Sequence, residues 1–142
     1  MQRISIPLPD GYRSSDVFAF HGRDAEGVAE QVKPGRIRKG VMLDGVPVAL
    51  DIALGEHEAQ VGVGADAELT PRAQTILDDA LLNILGLRID PAPFLAVAQD
   101  DPILGAAIRR NAGLRTVQSA TIFEALPWAV IGQQINLSFA IA

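Results

Sequence analysis

The sequence predicts an α+β protein in which an antiparallel sheet carries two helices on one face and is followed by the first helices of an all-α unit. Three observations support this class. Two alternating apolar segments flank Asp44 and Gly45, which is the strongest short-range signal of a β-hairpin. A long amphipathic helix begins at Thr70 and Pro71. From Asp90 onward, the start signals along the chain are those of helices.

Before the hairpin, the chain is predicted to form two strands and a helix. Residues 4–6 form a short edge strand that ends in turn residues. Residues 17–21 form the second strand, because apolar residues are frequent there over a short span. A helix over residues 25–32 follows, with Val28 and Val32 on its inward face.

The hairpin strands alternate apolar and polar residues, so one face of the sheet should be buried. Residues 46–54 lead away from the turn, and residues 59–63 form the next strand. The helix that begins at Thr70 is predicted to cover the buried face, and Gly86 is placed to end it. The inward positions before the turn are Ile37, Lys39, Val41 and Leu43, and the apolar stripe of the helix comprises Ala73, Ile76, Leu77, Ala80, Leu81 and Ile84.

The remainder of the chain is predicted to be helical. A boundary near residues 87–90 would separate an α+β unit over residues 1–88 from a helical unit over residues 89–142. Asp90 and Asp101 each precede a proline, which is the pattern of a helix cap followed by its first residue. The predicted inward faces of the two helices comprise Phe94, Leu95, Ala98, Ile103, Leu104, Ala107 and Ile108.

The last predicted helix begins with a capping box formed by Thr121 and Glu124, in which each side chain satisfies an unpaired backbone amide. Pro127 lies inside this helix and should kink it. Residues 132–134 would then form a polar corner before a second helix. The apolar positions Phe123, Leu126 and Val130 of the first helix, and Ile135, Phe139 and Ala142 of the second, predict a core location.

Composition excludes several classes of function. The 142 residues carry a net charge of −5 and contain no cysteine, so the chain has no disulfides and no thiol nucleophile. No signal peptide or membrane-spanning stretch is visible, and we expect a cytoplasmic protein without a membrane partner. His21 and His57 show no metal-ligand spacing, so neither a metal nor another cofactor is expected. The acidic balance also argues against strong electrostatic binding to DNA.

One motif points to a function. The run Ile-Gly-Gln-Gln-Ile at residues 131–135, preceded by Phe-Glu-Ala-Leu at residues 123–126, resembles the opening of the helical domain in the DNA-3-methyladenine glycosylase II family. This is a family of alkylbase DNA glycosylases in the helix-hairpin-helix superfamily. Gly113-Leu114-Arg115 also resembles an element of the family that stands just before the capping box. The resemblance implies an N-terminal domain related to the TATA-binding-protein fold, which agrees with the predicted α+β unit.

The resemblance also implies roles for particular residues. Gln134 would be the side chain that fills the gap left by a flipped nucleotide, with Gln133 as its supporting neighbour in the DNA-binding surface. Phe20 would belong to the base pocket, where an aromatic face attracts a positively charged alkylated purine. Trp128 is a second candidate for this pocket, on the ground of its indole and not of the resemblance. The alternatives are a solvated corner for the two glutamines, a sheet-core position for Phe20 and a place between the two domains for Trp128.

A chain with this resemblance would be the N-terminal part of an enzyme that excises alkylated purines from double-stranded DNA in base excision repair. The catalytic aspartate and the glycine-rich hairpin of the family have no counterpart here, so no catalytic residue is assigned and the chain alone is expected to be inactive. Asp90, Asp100 and Asp101 are better explained as helix caps.

Two other classes of function remain open. The chain could be a stand-alone, non-catalytic module for protein interaction or DNA binding, and the apolar face of its last helices would then support self-association. An unrelated small-molecule enzyme has little support, because the sequence shows no nucleophile–base pair, no metal spacing and no phosphate loop.

Overall fold

The computed structural model describes residues 2–23, 26–28 and 30–134. Within these ranges it contains five strands and five helices. In chain order they are β1 (Gln2–Pro7), α1 (Ser14–His21), β2 (Glu30–Lys33), β3 (Arg36–Leu43), β4 (Val46–Leu54), β5 (Glu58–Ala65), α2 (Pro71–Ile84), α3 (Ala92–Ala98), α4 (Leu104–Arg110) and α5 (Ile122–Gln134).

All five strands belong to one antiparallel sheet with the order β1-β5-β4-β3-β2. The hairpin between β3 and β4 is confirmed, with Leu43 paired to Val46 across a two-residue turn. Both turn residues have positive φ, 49° at Asp44 and 82° at Gly45. A two-residue turn of this kind matches the right-handed twist of the flanking strands, which is why Asp-Gly favours it.

One face of the sheet is buried under α1 and α2. The strands alternate as predicted, and their inward side chains form a single core with the two helices. Its most buried members include Ile37, Leu43, Leu50, Ile52 and Val61 from the sheet, Val17 from α1, and Leu77, Leu81 and Ile84 from α2. The predicted α+β class is therefore confirmed. The domain boundary near residues 87–90 stays a prediction.

Helix α2 has the ends that the sequence predicts. The Thr70 hydroxyl accepts a hydrogen bond from the Ala73 amide at 3.1 Å, and Pro71 is the first helical residue. Gly86 has a φ of +64°, the left-handed conformation of a helix-ending glycine.

The predicted strand over residues 17–21 is wrong, because these residues lie in helix α1. The buried residues are Val17 and His21, which are four apart and therefore share one helical face. Arg13 and Asp16 form an ion pair of 2.9 Å at the start of this helix. An apolar run this short carries too little periodicity to separate a strand from a helix.

The predicted helix over residues 25–32 is also wrong in its described part. Gly27 has a φ of +61°, which a continuous helix excludes, and the chain enters strand β2 at Glu30. Val28 is 88% exposed, whereas Val32 pairs with Ile37 of β3. This strand extends the sheet and places Glu30 opposite Lys39.

Helices α3 and α4 form where predicted. The carboxylate of Asp90 accepts a hydrogen bond from the Ala92 amide, and that of Asp101 accepts from Ile103 and Leu104. The predicted inward faces are only partly correct. Ala98 is buried, but the side chains of Phe94, Ile103 and Leu104 are exposed.

Helix α5 departs from its predicted place in the core. Phe123 is 82% exposed and Val130 is 65% exposed, because no layer of the described structure covers this face. The helix continues through Pro127 and through residues 132–134, so the predicted polar corner is helical up to Gln134. The second predicted helix, with Ile135, Phe139 and Ala142, lies outside the described residues. None of the described helices has the length and apolarity that crossing a membrane would require.

Candidate functional site

A cluster of four charged side chains lies between the inner face of the sheet, α1 and α5. Lys39 is 3% exposed and His21 is 2% exposed. The ammonium of Lys39 contacts the carboxylate of Glu30 on the neighbouring strand, and its Nζ lies 2.7 Å from Oε1 of Glu124 on α5. Nδ1 of His21 lies 2.7 Å from the other carboxylate oxygen of Glu30. We call these residues, His21, Glu30, Lys39 and Glu124, the charge cluster.

Hydrogen bonding indicates how the charge cluster is protonated. Nε2 of His21 lies 3.1 Å from the carbonyl oxygen of Ile84, which can only accept, so this nitrogen donates. Burial raises the pKa of Glu30, but the hydrogen bonds from His21 and Lys39 outweigh burial and bring the pKa to about 2. Both ring nitrogens of His21 thus lie within hydrogen-bonding distance of oxygen atoms.

Glu124 joins this cluster to the start of α5. Its amide donates a hydrogen bond to the Thr121 hydroxyl at 3.2 Å, as the predicted capping box requires. Its carboxylate accepts from the amide of Ala120 at 3.1 Å, one residue before the expected partner Thr121. The second carboxylate oxygen binds Lys39. One side chain therefore caps the helix and attaches it to the sheet.

A cavity of about 790 Å³ opens beside the charge cluster. Its floor contains the four charged residues, and its walls come from β3, the end of α1 and the first turns of α5. Apolar and aromatic side chains form much of the wall, among them Val41, Met42, Phe123, Pro127 and Trp128. A concave, mostly apolar space with a few polar groups is the usual form of a small-ligand site.

Arg23 contacts two aromatic rings, of which Trp128 lines this cavity together with Arg23 and Phe20 lies outside the lining. The guanidinium carbon of Arg23 lies 3.9 Å from the ring centroid of Phe20 and 4.9 Å from that of Trp128. Phe20 also packs edge-on against His21, with centroids 5.1 Å apart and an interplanar angle of 81°. The structure thus brings the predicted pocket residues Phe20 and Trp128 to one place, although Phe20 is supplied by a helix and not by a strand.

The comparisons with known proteins agree with the resemblance in the sequence. No protein-family model matches the chain. A DNA-3-methyladenine glycosylase of Bacillus subtilis (strain 168) is 49% identical over 51 residues, which are 36% of this chain and 17% of that protein. The structure of the 3-methyladenine DNA-glycosylase from Archaeoglobus fulgidus superposes with a TM-score of 0.72 and 24% identity.

The chain is thus similar in part of its sequence to one DNA-3-methyladenine glycosylase, and in its fold to another. The superposition on the Archaeoglobus glycosylase covers 99% of this chain and 47% of that one, so the chain spans about half the length of that structure. It shows that the sheet and the helices belong to one glycosylase-like fold. The predicted relationship to this family is confirmed.

The glutamines that the glycosylase resemblance places at the DNA surface lie at the end of α5. The side chain of Gln133 is exposed, so a duplex could reach it. Gln134 is the last helical residue, and its side chain lies outside what the structure describes. The roles of Gln133 and Gln134 in DNA binding stay predictions.

Other candidate sites carry little chemistry. His57 lies 4.0 Å from Glu56 in an exposed turn. Among the described residues, no group of three or more histidine, aspartate or glutamate side chains is placed to hold a metal ion.

The charge cluster itself was not predicted. A signal for it was present, because Lys39 occupies an inward position in an otherwise apolar alternation, and a buried ammonium requires carboxylate partners. The partner Glu30 was hidden, since residues 25–32 are predicted to form a helix, and the partner Glu124 is distant in sequence.

The low pKa of Glu30 makes the stability of the fold depend on pH. The folded value of about 2 lies below the ordinary value of 4.5. The contribution of Glu30 to stability is therefore fully present above about pH 4.5 and is lost as the pH falls toward 2. Urea unfolding at about pH 5.5 and about pH 3 should show a smaller loss of stability on acidification for Glu30→Gln than for the wild type.

The matched control is Glu56→Gln, which removes an exposed carboxylate from a turn and should leave the wild-type pH dependence in place. An equal acid sensitivity in the wild type and in Glu30→Gln would contradict the assignment of Glu30 as the ionised centre of the cluster.

Proposed function

We propose that this chain is part of a DNA-repair glycosylase that removes alkylated purines of the 3-methyladenine type from duplex DNA. The observation that carries the proposal is the meeting of Phe20 and Trp128 around a cation at the edge of the cavity. An alkylated purine is a flat, positively charged ring, and the faces of aromatic side chains attract such a group. The names of the related proteins support the same substrate class.

The size and charge of the cavity suit a single flipped base. A volume of about 790 Å³ lies within the range of pockets that enclose small ligands. Lys39 in its lining is paired with the carboxylates of Glu30 and Glu124, so a cationic base in this pocket would compete with the guanidinium of Arg23 for the aromatic faces. Enzymes that act on bases in duplex DNA bring the target base out of the stack and into such a pocket.

We place the duplex at the C-terminal end of α5, where Gln133 is exposed. An uncharged amide can enter the gap left by the extruded nucleotide without the desolvation cost of an ion, and it can hydrogen-bond the unpaired base. Because the net charge is −5, we expect weak binding of the chain to intact duplex. We also propose that the chain alone releases no base, since the catalytic aspartate and the hairpin of the family have no counterpart in the sequence.

The DNA proposal is tested by measuring binding to a fluorescent duplex that contains a single abasic-site analogue. The wild-type chain should prefer this duplex to an intact one. The double substitution Gln133→Ala and Gln134→Ala should weaken binding to the abasic duplex about tenfold, because one stacked contact with a base contributes roughly 1–3 kcal/mol.

Gln99→Ala is the matched control, since Gln99 is an exposed amide at the end of α3. It should change the affinity by less than about twofold. A wild-type chain that binds both duplexes equally, or a double variant that binds like the control, would contradict this placement of the DNA.

A second candidate function, a non-catalytic interaction module, is supported by the exposed apolar face of α5. Its exposed side chains include Ile122, Phe123, Leu126, Val130 and Ile131. A contiguous face of this kind in water favours association. Under this alternative, two copies of the chain would bury the face against each other.

Sedimentation measurements test the alternative. Val130→Asp places a charge in the middle of the apolar face and should reduce the dimer fraction of the chain at least several-fold, because burying a lone carboxylate is costly. Ala67→Asp introduces the same charge at an exposed position in the loop after β5 and should leave the dimer fraction unchanged. A wild-type chain that stays monomeric over the whole concentration range would exclude self-association through this face.

A further inference from the structure

Unlike Lys39 and His21, which also line the cavity, Arg23 is held by aromatic rings and not by carboxylates. Lys39 and the ring of His21 are each fixed by carboxylate oxygens. The contacts of Arg23, in contrast, are the two aromatic faces of Phe20 and Trp128. Among the residues that the structure describes, Arg23 forms no ion pair with a carboxylate. Its position therefore depends on π contacts, which a competing cation can replace.

The guanidinium of Arg23 also resembles, in shape and charge, a ligand that the two aromatic faces could bind. It is planar, its positive charge is delocalised, and it stacks on aromatic faces. A purine made cationic by alkylation shares these three properties. Arg23 and Trp128 line the same cavity, so the guanidinium lies against a ring that a flat cation in the cavity would contact.

We propose that Phe20 and Trp128 form a cleft for a flat, delocalised organic cation, and that Arg23 fills this cleft in the free protein and must leave it before a ligand binds. The identification of the ligand as an alkylated purine rests on the proposed function. The competition between Arg23 and a flat cation does not, because it rests on the contacts of the guanidinium with the two rings.

A side chain that fills its own binding site lowers the apparent affinity for a ligand. The measured dissociation constant equals the intrinsic constant divided by the fraction of molecules in which the cleft is empty. Removing the guanidinium should therefore tighten the binding of a flat cation. From the usual strength of cation–π contacts, we expect a gain of about three- to tenfold.

Fluorescence offers a direct measurement, since Trp128 is the single tryptophan of the chain. The probes are 1-methyladenosine, a purine cation at neutral pH, and adenosine, a neutral ring of nearly the same size. Quenching titrations of the 142-residue chain should give about three- to tenfold tighter binding of 1-methyladenosine to Arg23→Gln than to the wild type. Adenosine should bind to Arg23→Gln more weakly than 1-methyladenosine does, because a neutral ring lacks the cation–π attraction.

Two further variants link the gain to the cleft. Arg23→Lys keeps the charge but loses the planar group, and should bind 1-methyladenosine with an affinity between those of the wild type and Arg23→Gln. Adding Phe20→Leu to Arg23→Gln removes one wall and should abolish the gain. Circular dichroism and thermal melting establish that each variant is folded before it is titrated.

Several results would overturn the proposal. The first is that Arg23→Gln binds 1-methyladenosine no more tightly than the wild type does. The second is that Arg23→Gln binds adenosine as tightly as 1-methyladenosine, and the third is that no folded variant binds the cation. The outcome is separate from that of the DNA-binding assay. If the chain prefers abasic duplex but Arg23→Gln does not change cation binding, the proposed function is supported and this inference is wrong. If Arg23→Gln tightens cation binding but the chain does not prefer abasic duplex, the cleft is supported and the proposed function is wrong.

Discussion

A lysine ammonium buried against the inner face of the sheet requires carboxylates, and the position of those carboxylates fixes where α5 lies. Lys39 finds one partner on the neighbouring strand, Glu30, and the other on α5, Glu124. Leaving either charge buried without its partner would cost several kcal/mol by the usual estimates, of order 3–5. The packing of α5 is therefore set by the charge cluster more than by apolar contact, since much of its apolar surface is exposed.

The cavity and its aromatic edge depend on this attachment. Trp128 lies one turn of α5 beyond Glu124, and it reaches the guanidinium of Arg23 because the start of the helix is held on the sheet. Gln133, at the far end of the same helix, takes its direction from the same attachment. The proposed base pocket and the proposed DNA-facing end are thus two parts of one helix, and the charge cluster supports both. The proposed function would give this arrangement a chemical purpose.

Elements with local signals were predictable from the sequence, and elements defined by distant partners were not. The turn at Asp44 and Gly45 and the cap at Thr70 are set by neighbouring residues, and both were predicted correctly. The strand at Glu30 was missed because its pairing with β3 outweighs a weak local preference. The capping role of Glu124 was readable from its spacing to Thr121, whereas its bond to Lys39 joins residues 85 positions apart and leaves no local trace. Phe20 was chosen by resemblance and Trp128 as an aromatic candidate, and only the fold shows that both contact Arg23.

A double-mutant cycle between Lys39 and Glu124 tests the central claim most directly. Urea unfolding is measured for the wild type, Lys39→Met, Glu124→Gln and the double variant. The cycle isolates the coupling free energy between these two side chains, because the contribution of the contact between Lys39 and Glu30 cancels. We predict a coupling free energy of about 1–3 kcal/mol, as expected for a partly buried, hydrogen-bonded ion pair. The exposed pair of Arg88 and Asp79 provides the reference and should give less than about 1 kcal/mol. A Lys39–Glu124 coupling within error of zero would contradict the claim that this pair holds α5 on the sheet.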